Sequence, residues 1–152
     1  MTTPSPPDPT DIVSAHRHRR LSVDEIVPER VAEMLRAAQR IERAATGPSV
    51  RVAFRNTRIL IGAVHANGYS LQRIAAVLGT DTQATRARIE PGGLLVAGDL
   101  ATLLCITQAE LDECFGRWHL APVVTEQGYA FYGAEELVKA ILGEEPGQAM
   151  PA

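Results

Sequence analysis

The sequence predicts a mainly α-helical chain with two helix-turn-helix units in tandem, the second followed by a short β-hairpin. Three observations carry that expectation. Apolar residues recur at helical spacing through residues 31–45 and again through 53–64. A helix pattern with a small alanine, an apolar residue and a turn occurs twice, around Ala75 to Gly79 and around Ala101 to Ile106. Two short strand-like segments, near 123–125 and 130–132, flank Gln127-Gly128, a plausible hairpin turn.

The bulk numbers fit this class. The chain has 152 residues, 45% hydrophobic and 22% charged, enough for one or two small domains with modest cores. Aromatics are only 5%, so the cores must be built from Leu, Ile, Val and Ala. No apolar run approaches the ~20 residues that span a bilayer. Residues 1–10 are rich in Pro, Thr and Ser and lack the apolar segment of a signal peptide. These features predict a soluble, cytoplasmic protein with no membrane partner.

Charge is unevenly distributed. Residues 1–93 hold 13 Arg against 9 Asp/Glu, a net +4; residues 94–152 hold Arg117 and Lys139 against 9 Asp/Glu, a net −7. Within residues 51–93 six Arg stand against Asp81 and Glu90, so attraction to phosphate is expected from the middle of the chain. Lys139 is the single lysine, and Arg-for-Lys usage can reflect a GC-rich genome, so the arginine excess alone does not imply nucleic-acid binding.

Five segments are expected: a disordered basic arm (1–20), an amphipathic helix (21–47), the two units (48–93 and 94–143) and a disordered tail (144–152). The arm carries His16, Arg17, His18, Arg19 and Arg20. It can lie in a minor groove or be a solvated lead into the first helix. That helix starts in the run from Asp24 to Pro28 and carries Val31, Met34, Leu35, Ala38, Ile41 and Ala45 on one stripe. Such a stripe packs on the chain's own core or on a second copy. The next helix, 51–67, places Ala53, Thr57, Leu60, Ile61 and Val64 inward and ends at Asn67-Gly68. Arg51, Arg55 and Arg58 share another face, either a phosphate-facing ridge or an ordinary solvated one.

In the first unit Ser70 is a natural N-cap, Leu71, Ile74, Val77 and Leu78 form the apolar face, and Gly79 supplies the tight turn. With helix 51–67 and a third helix over 82–89, this resembles the homeodomain-like three-helix unit of resolvases and many bacterial regulators. The resemblance implies that residues 82–89 enter the major groove. Thr82, Gln83, Thr85, Arg86 and Arg88 would then face DNA, with Arg51, Arg55, Arg58, Ser70 and Arg73 on the backbone. Gln pairs bidentately with adenine and Arg with guanine. The pattern departs from that family at Thr80, Thr85 and Arg88, where apolar residues are usual. A trihelical packing module is the other reading.

In the second unit Ala101, Leu104, Ile106, Leu111 and Cys114 repeat the core pattern, and Cys105 replaces the turn glycine. Trp118 to Pro122 leaves the second helix, Thr125 to Tyr132 forms a hairpin, and a closing helix runs from about Gly133 to Leu142. This segment, 94–142, resembles a MerR-type winged helix-turn-helix. Its DNA-facing positions are the wrong sign, however. Glu110, Asp112 and Glu113 stand on the would-be reading helix, and Gln127 at the wing tip. A carboxylate can accept from cytosine N4, but phosphate repels it. These four residues are therefore assigned to partner contact, the acidic unit serving a protein partner, a second copy, intramolecular packing or, through its wing, an adjacent half-site.

No catalytic or cofactor site is expected. The sequence has no phosphate-cradling loop, nucleophile elbow or His-Glu-x-x-His, and Gly92-Gly93 reads as a linker between the units. Cys105 and Cys114, with His119 as the nearest histidine, are too few for structural zinc. Both thiols are expected to be buried and inert, and His65 to sit on a helix surface. The functional expectation is a sequence-specific DNA-binding transcriptional regulator of a bacterium, phage or plasmid. It would read double-stranded DNA with residues 82–89 and meet a partner through the acidic winged unit. The alternative is a protein–protein adaptor of the same architecture that binds no DNA.

Overall fold

The computed structural model describes residues 25–144. The arm at 1–20 and the tail beyond Glu144 lie outside them. The described chain is mainly helical, with a small antiparallel sheet. Helix α1 (Glu29–Ala44) follows Pro28, with Glu29 in the first turn where a carboxylate suits the positive helix end. Val31, Met34, Leu35 and Ala38 are buried in the chain's own core, and Ile41 emerges from it at the C-terminal end. On the opposite face Arg36 pairs with Glu29 and Glu33.

Gly47 reverses the chain at φ +59° into α2 (Ser49–Ala66), which Asn67 and Gly68 terminate. The inward stripe of α2 is the one expected: Ala53, Thr57, Leu60, Ile61 and Val64 are all buried. This helix is central and packs against α1, α3, β1 and α7. Gly62 is required there because a Cβ would collide with the backbone of Glu90, which crosses α2 at that point.

The first unit is α3 (Leu71–Leu78), a turn, and α4 (Thr82–Arg86). The second is α5 (Ala97–Leu104), a turn, and α6 (Gln108–Trp118). Strand β1 (Leu94–Val96) leads into α5, and β2 (Val124–Glu126) and β3 (Tyr129–Gly133) form the wing. Helix α7 (Ala134–Leu142) closes the described chain. Gln127 and Gly128 both have positive φ, the combination a two-residue hairpin needs.

The sheet order is β1-β3-β2, with Leu95 opposite Tyr132 and Thr125 opposite Ala130. The sequence reading missed β1. Its three residues are too few to show a period, and only pairing with β3 defines the strand.

One continuous core joins the two units. Ile59, Leu60 and Ile74 belong to the same buried cluster as Leu95, Leu100, Leu111, Leu137 and Ile141. The Gly92-Gly93 linker is packed rather than free: Gly93 lies against the Ile59 side chain and accepts from the Ala134 N–H.

Candidate nucleic-acid interface

The two turns are built alike. Gly79 and Cys105 both adopt the left-handed conformation, at φ 70° and 59°. In each, the next residue returns a backbone hydrogen bond of 3.0 Å to the small alanine, Thr80 to Ala75 and Ile106 to Ala101. Each following helix then opens on a side-chain cap. Asp81 accepts from the Ala84 N–H at 2.7 Å. Thr107 and Glu110 form a reciprocal capping box.

Past the caps the units diverge. Helix α4 ends at Arg86, three residues short of the expected Ile89. Thr85 does not face outward: it is 1% exposed, and its hydroxyl donates to the Asp81 carbonyl at 3.0 Å. That corrects its assignment to DNA. A threonine fills the core position where the second unit has Leu111.

Arg88 is also drawn inward. Its Nη2 sits 2.8 Å from both carboxylate oxygens of Glu42 on α1, and its guanidinium lies 4.9 Å from the Phe54 ring centre. A cation held by carboxylate and ring is not free for phosphate, so this assignment is corrected as well. The arginine ridge of α2 is partly consumed in the same corner. Arg55 pairs with Glu90 at 3.2 Å, and Arg58 donates to the Arg88 carbonyl and lies over Phe54. Arg51 stays exposed beside Pro48, Val50 and Phe54. Ser70 is the N-cap of α3, its hydroxyl accepting from the Arg73 N–H at 3.1 Å.

A coherent outward set remains. Gln83 and Arg86 on α4 are exposed, and Thr82 and Arg73 are half-buried. Arg43 belongs with them and the sequence reading did not link it to this unit. It lines a cleft of about 410 Å³ together with Gly79, Thr80, Ala84 and Glu42. Its place on the charged face of α1 was legible; the docking of that face beside the turn was not. Arg40, Arg43, Arg51, Arg73 and Arg86 make no ion pair among the described residues.

The second unit presents the opposite charge. Glu110, Asp112 and Glu113 are all exposed on α6. Glu110 is committed to the capping box through Thr107 N–H at 2.8 Å, and Asp112 accepts from Gln108 at 3.1 Å. Gln127 stands exposed at the wing tip at φ 52°. The wing carries no Lys or Arg between Val123 and Gly133. Phe115 stacks on Tyr132 with ring centres 3.9 Å apart, which fixes α6 against β3. Burial raises the Tyr132 phenol pKa, and the nearby Asp112 carboxylate adds to the rise.

Cys114 is buried as expected, but Cys105 is exposed, because the left-handed residue of the turn projects outward. His65 is on the helix surface, its Nδ1 2.9 Å from the Tyr69 carbonyl. Among the described residues no helix is long and apolar enough to cross a membrane. Compared with family models, curated proteins and solved structures, the chain matches none.

Proposed function

We propose that this protein is a sequence-specific DNA-binding regulator of transcription that reads double-stranded DNA through its first helix-turn-helix unit. Gln83 and Arg86 carry base readout at the start and outer side of α4. Arg73, Arg43, Arg40 and Arg51 supply phosphate contacts. The observation that carries this reading is the segregation of unpaired cations. Those five arginines lie on α1, α2 and the first unit, whereas the exposed carboxylates of the second unit would repel a duplex. The acidic unit serves protein or self contact.

A second reading, an adaptor without DNA binding, is favoured by one specific observation. Helix α4 has only five residues, and two of the expected contacts, Thr85 and Arg88, point inward. Fluorescence anisotropy on random-sequence duplex pools across a salt series decides between them. Binding that weakens steeply with salt, with a motif enriched on selection, is the expected outcome. Each phosphate neutralised contributes about −0.9 to the slope of log K against log salt. The pair Arg73→Glu with Arg86→Glu should abolish binding. Absence of binding at low salt in the unaltered chain would leave the adaptor.

A further inference from the structure

Of one Trp, three Tyr and three Phe, only Phe54 and Tyr129 stay exposed after folding. Each sits in its own apolar patch. Phe54 belongs to the reversal between α1 and α2, where Gly47, Pro48, Val50, Arg51 and Phe54 line an open cleft of about 550 Å³. Val50 is exposed there, and Phe54 is 42% exposed even though Arg58 and Arg88 lie against its ring. Tyr129 belongs to the wing, where it is 60% exposed beside the exposed Val124. Strand register sets Val124 opposite Phe131 and Glu126 opposite Tyr129, so these four share one face of the hairpin. The other face is the one Tyr132 buries against Phe115. Exposed apolar patches rimmed by charge mark contact sites.

The two rims carry opposite charge. Arg51 lines the cleft without an ion pair among the described residues, and Arg55, one turn further along α2, has a side chain 65% exposed despite its pairing with Glu90. On the wing Glu126 stands beside Tyr129 without an ion pair among the described residues, and no Lys or Arg between Val123 and Gly133 offsets it. A contact of cleft with cleft would set Arg51 and Arg55 against their own copies. A contact of wing with wing would set Glu126 against Glu126. Only wing against cleft joins opposite charges and covers both exposed aromatic rings at once.

We infer that the wing of one copy of this chain seats in the α1–α2 cleft of another, with Tyr129 and Val124 on Phe54 and Val50, and Glu126 on Arg51. Tyrosine is suited to anchor such a contact, since it covers a large apolar area with a polar tip. The contact gives the self contact proposed for the acidic unit its counterpart surface and rests on that part of the reading; it needs no DNA. Arg51 is also among the proposed phosphate contacts, so a duplex and the Glu126 of a neighbouring copy compete for it.

The test is sedimentation velocity of the full chain without DNA, from about 1 µM to about 1 mM, the span of weak association through small interfaces. The weight-average sedimentation coefficient should rise with concentration. Tyr129→Ser removes the anchor, and Arg51→Glu sets a carboxylate against Glu126. Each should move the midpoint of that rise upward by about tenfold or more, the loss expected for a central contact side chain. Both side chains are exposed, so far-UV circular dichroism should not change. An equimolar mixture of the two variants should associate again, because the intact wing of the Arg51→Glu chain meets the intact cleft of the Tyr129→Ser chain. Adding Glu126→Arg to Arg51→Glu should restore association within one chain. A monomer throughout the series, a loss confined to one variant, as like-with-like contact gives, or a mixture no better than its components would each overturn the contact. Duplex anisotropy on the same chain is a separate readout: absence of binding there ends the DNA reading and leaves the contact to sedimentation.

Discussion

Two units of one chain share a turn and differ in almost everything the turn presents. Residues 74–89 and 100–115 superimpose in pattern with a constant offset of 26: Ala75 with Ala101, Gly79 with Cys105, Asp81 with Thr107. At the two positions that plug the core, however, the first unit has Thr85 and Arg88 and the second has Leu111 and Cys114. On the outward side Arg86 stands against Asp112. The shared turn is therefore a backbone solution, set by one left-handed residue and one cap. What each unit can bind is set by the side chains hung on it. The second unit has the better core and the face least suited to DNA; the first has the looser core and the free cations.

The largest expected effect tests whether the better core belongs to one unit or to the whole molecule. Leu111 is 0% exposed and lies in the cluster that also contains Ile59 and Ile74. Leu111→Ala should cost about 2–5 kcal/mol from lost transfer energy and the cavity left behind. Because the core is continuous, the loss should lower a single transition, seen alike by far-UV circular dichroism and by Trp118 fluorescence. Two separate transitions, with only the Trp118 signal displaced, would break the comparison in favour of independent units.

The next effect concerns the looser core. Arg88 and Glu42 are 27% and 20% exposed, so their paired charges are only partly solvated. Removing the acid with Glu42→Ala leaves Arg88 half-buried over Phe54 without its carboxylate. A cost of about 1–3 kcal/mol is expected, the range for a partly buried hydrogen bond to a charged group. The same change frees a cation beside α4. If duplex binding occurs as proposed, its salt slope should steepen by up to about one phosphate. Destabilisation measured by urea unfolding without any change in salt slope would mean that Arg88 remains turned inward even without its acid.

These positions also explain what was readable in advance. The stripes of α1 and α2, the Ser70 cap, the Gly79 turn and the hairpin at Gln127-Gly128 depend on neighbours a few residues away, and periodicity or turn chemistry exposes such dependence. The length of α4 does not. Thr85 and Arg88 break the local apolar pattern. Their fate is decided by Asp81 across one turn and by Glu42, 46 residues away. The mismatches at Thr85 and Arg88 were visible as departures from the expected pattern, and both turned out to be inward-facing residues. Strand β1 and the packed linker were not legible, since Leu94–Val96 acquires its identity from β3, and Gly93 from Ile59. Of the proposed interface, the outward placement of Gln83, Arg86 and Arg73 was legible by register. Arg43 required the docking of α1, for which the sequence carried no signal beyond a charged helix face.

The smallest effect isolates the turn itself. Gly79 and Cys105 occupy the same left-handed conformation, but only Cys105 carries a Cβ there. A Cβ at Gly79 would meet nothing within 4 Å, so Gly79→Ala is a test of backbone conformation without collision. It should destabilise by about 1 kcal/mol, at the lower end of the penalty for a left-handed L-residue. Cys105→Gly runs the experiment in reverse. It relieves the same penalty but enlarges the conformational freedom of the unfolded chain, which costs up to about 1 kcal/mol. The two terms oppose each other, so a net change within about 0.5 kcal/mol is expected. An asymmetric result, with Gly79→Ala costly and Cys105→Gly neutral, means that the second unit tolerates its turn residue because the unfolded state is restricted in return. A loss above about 2 kcal/mol for Cys105→Gly would instead require that the exposed Cys105 side chain makes a stabilising contact. The equivalence of the two turns would then stop at the backbone.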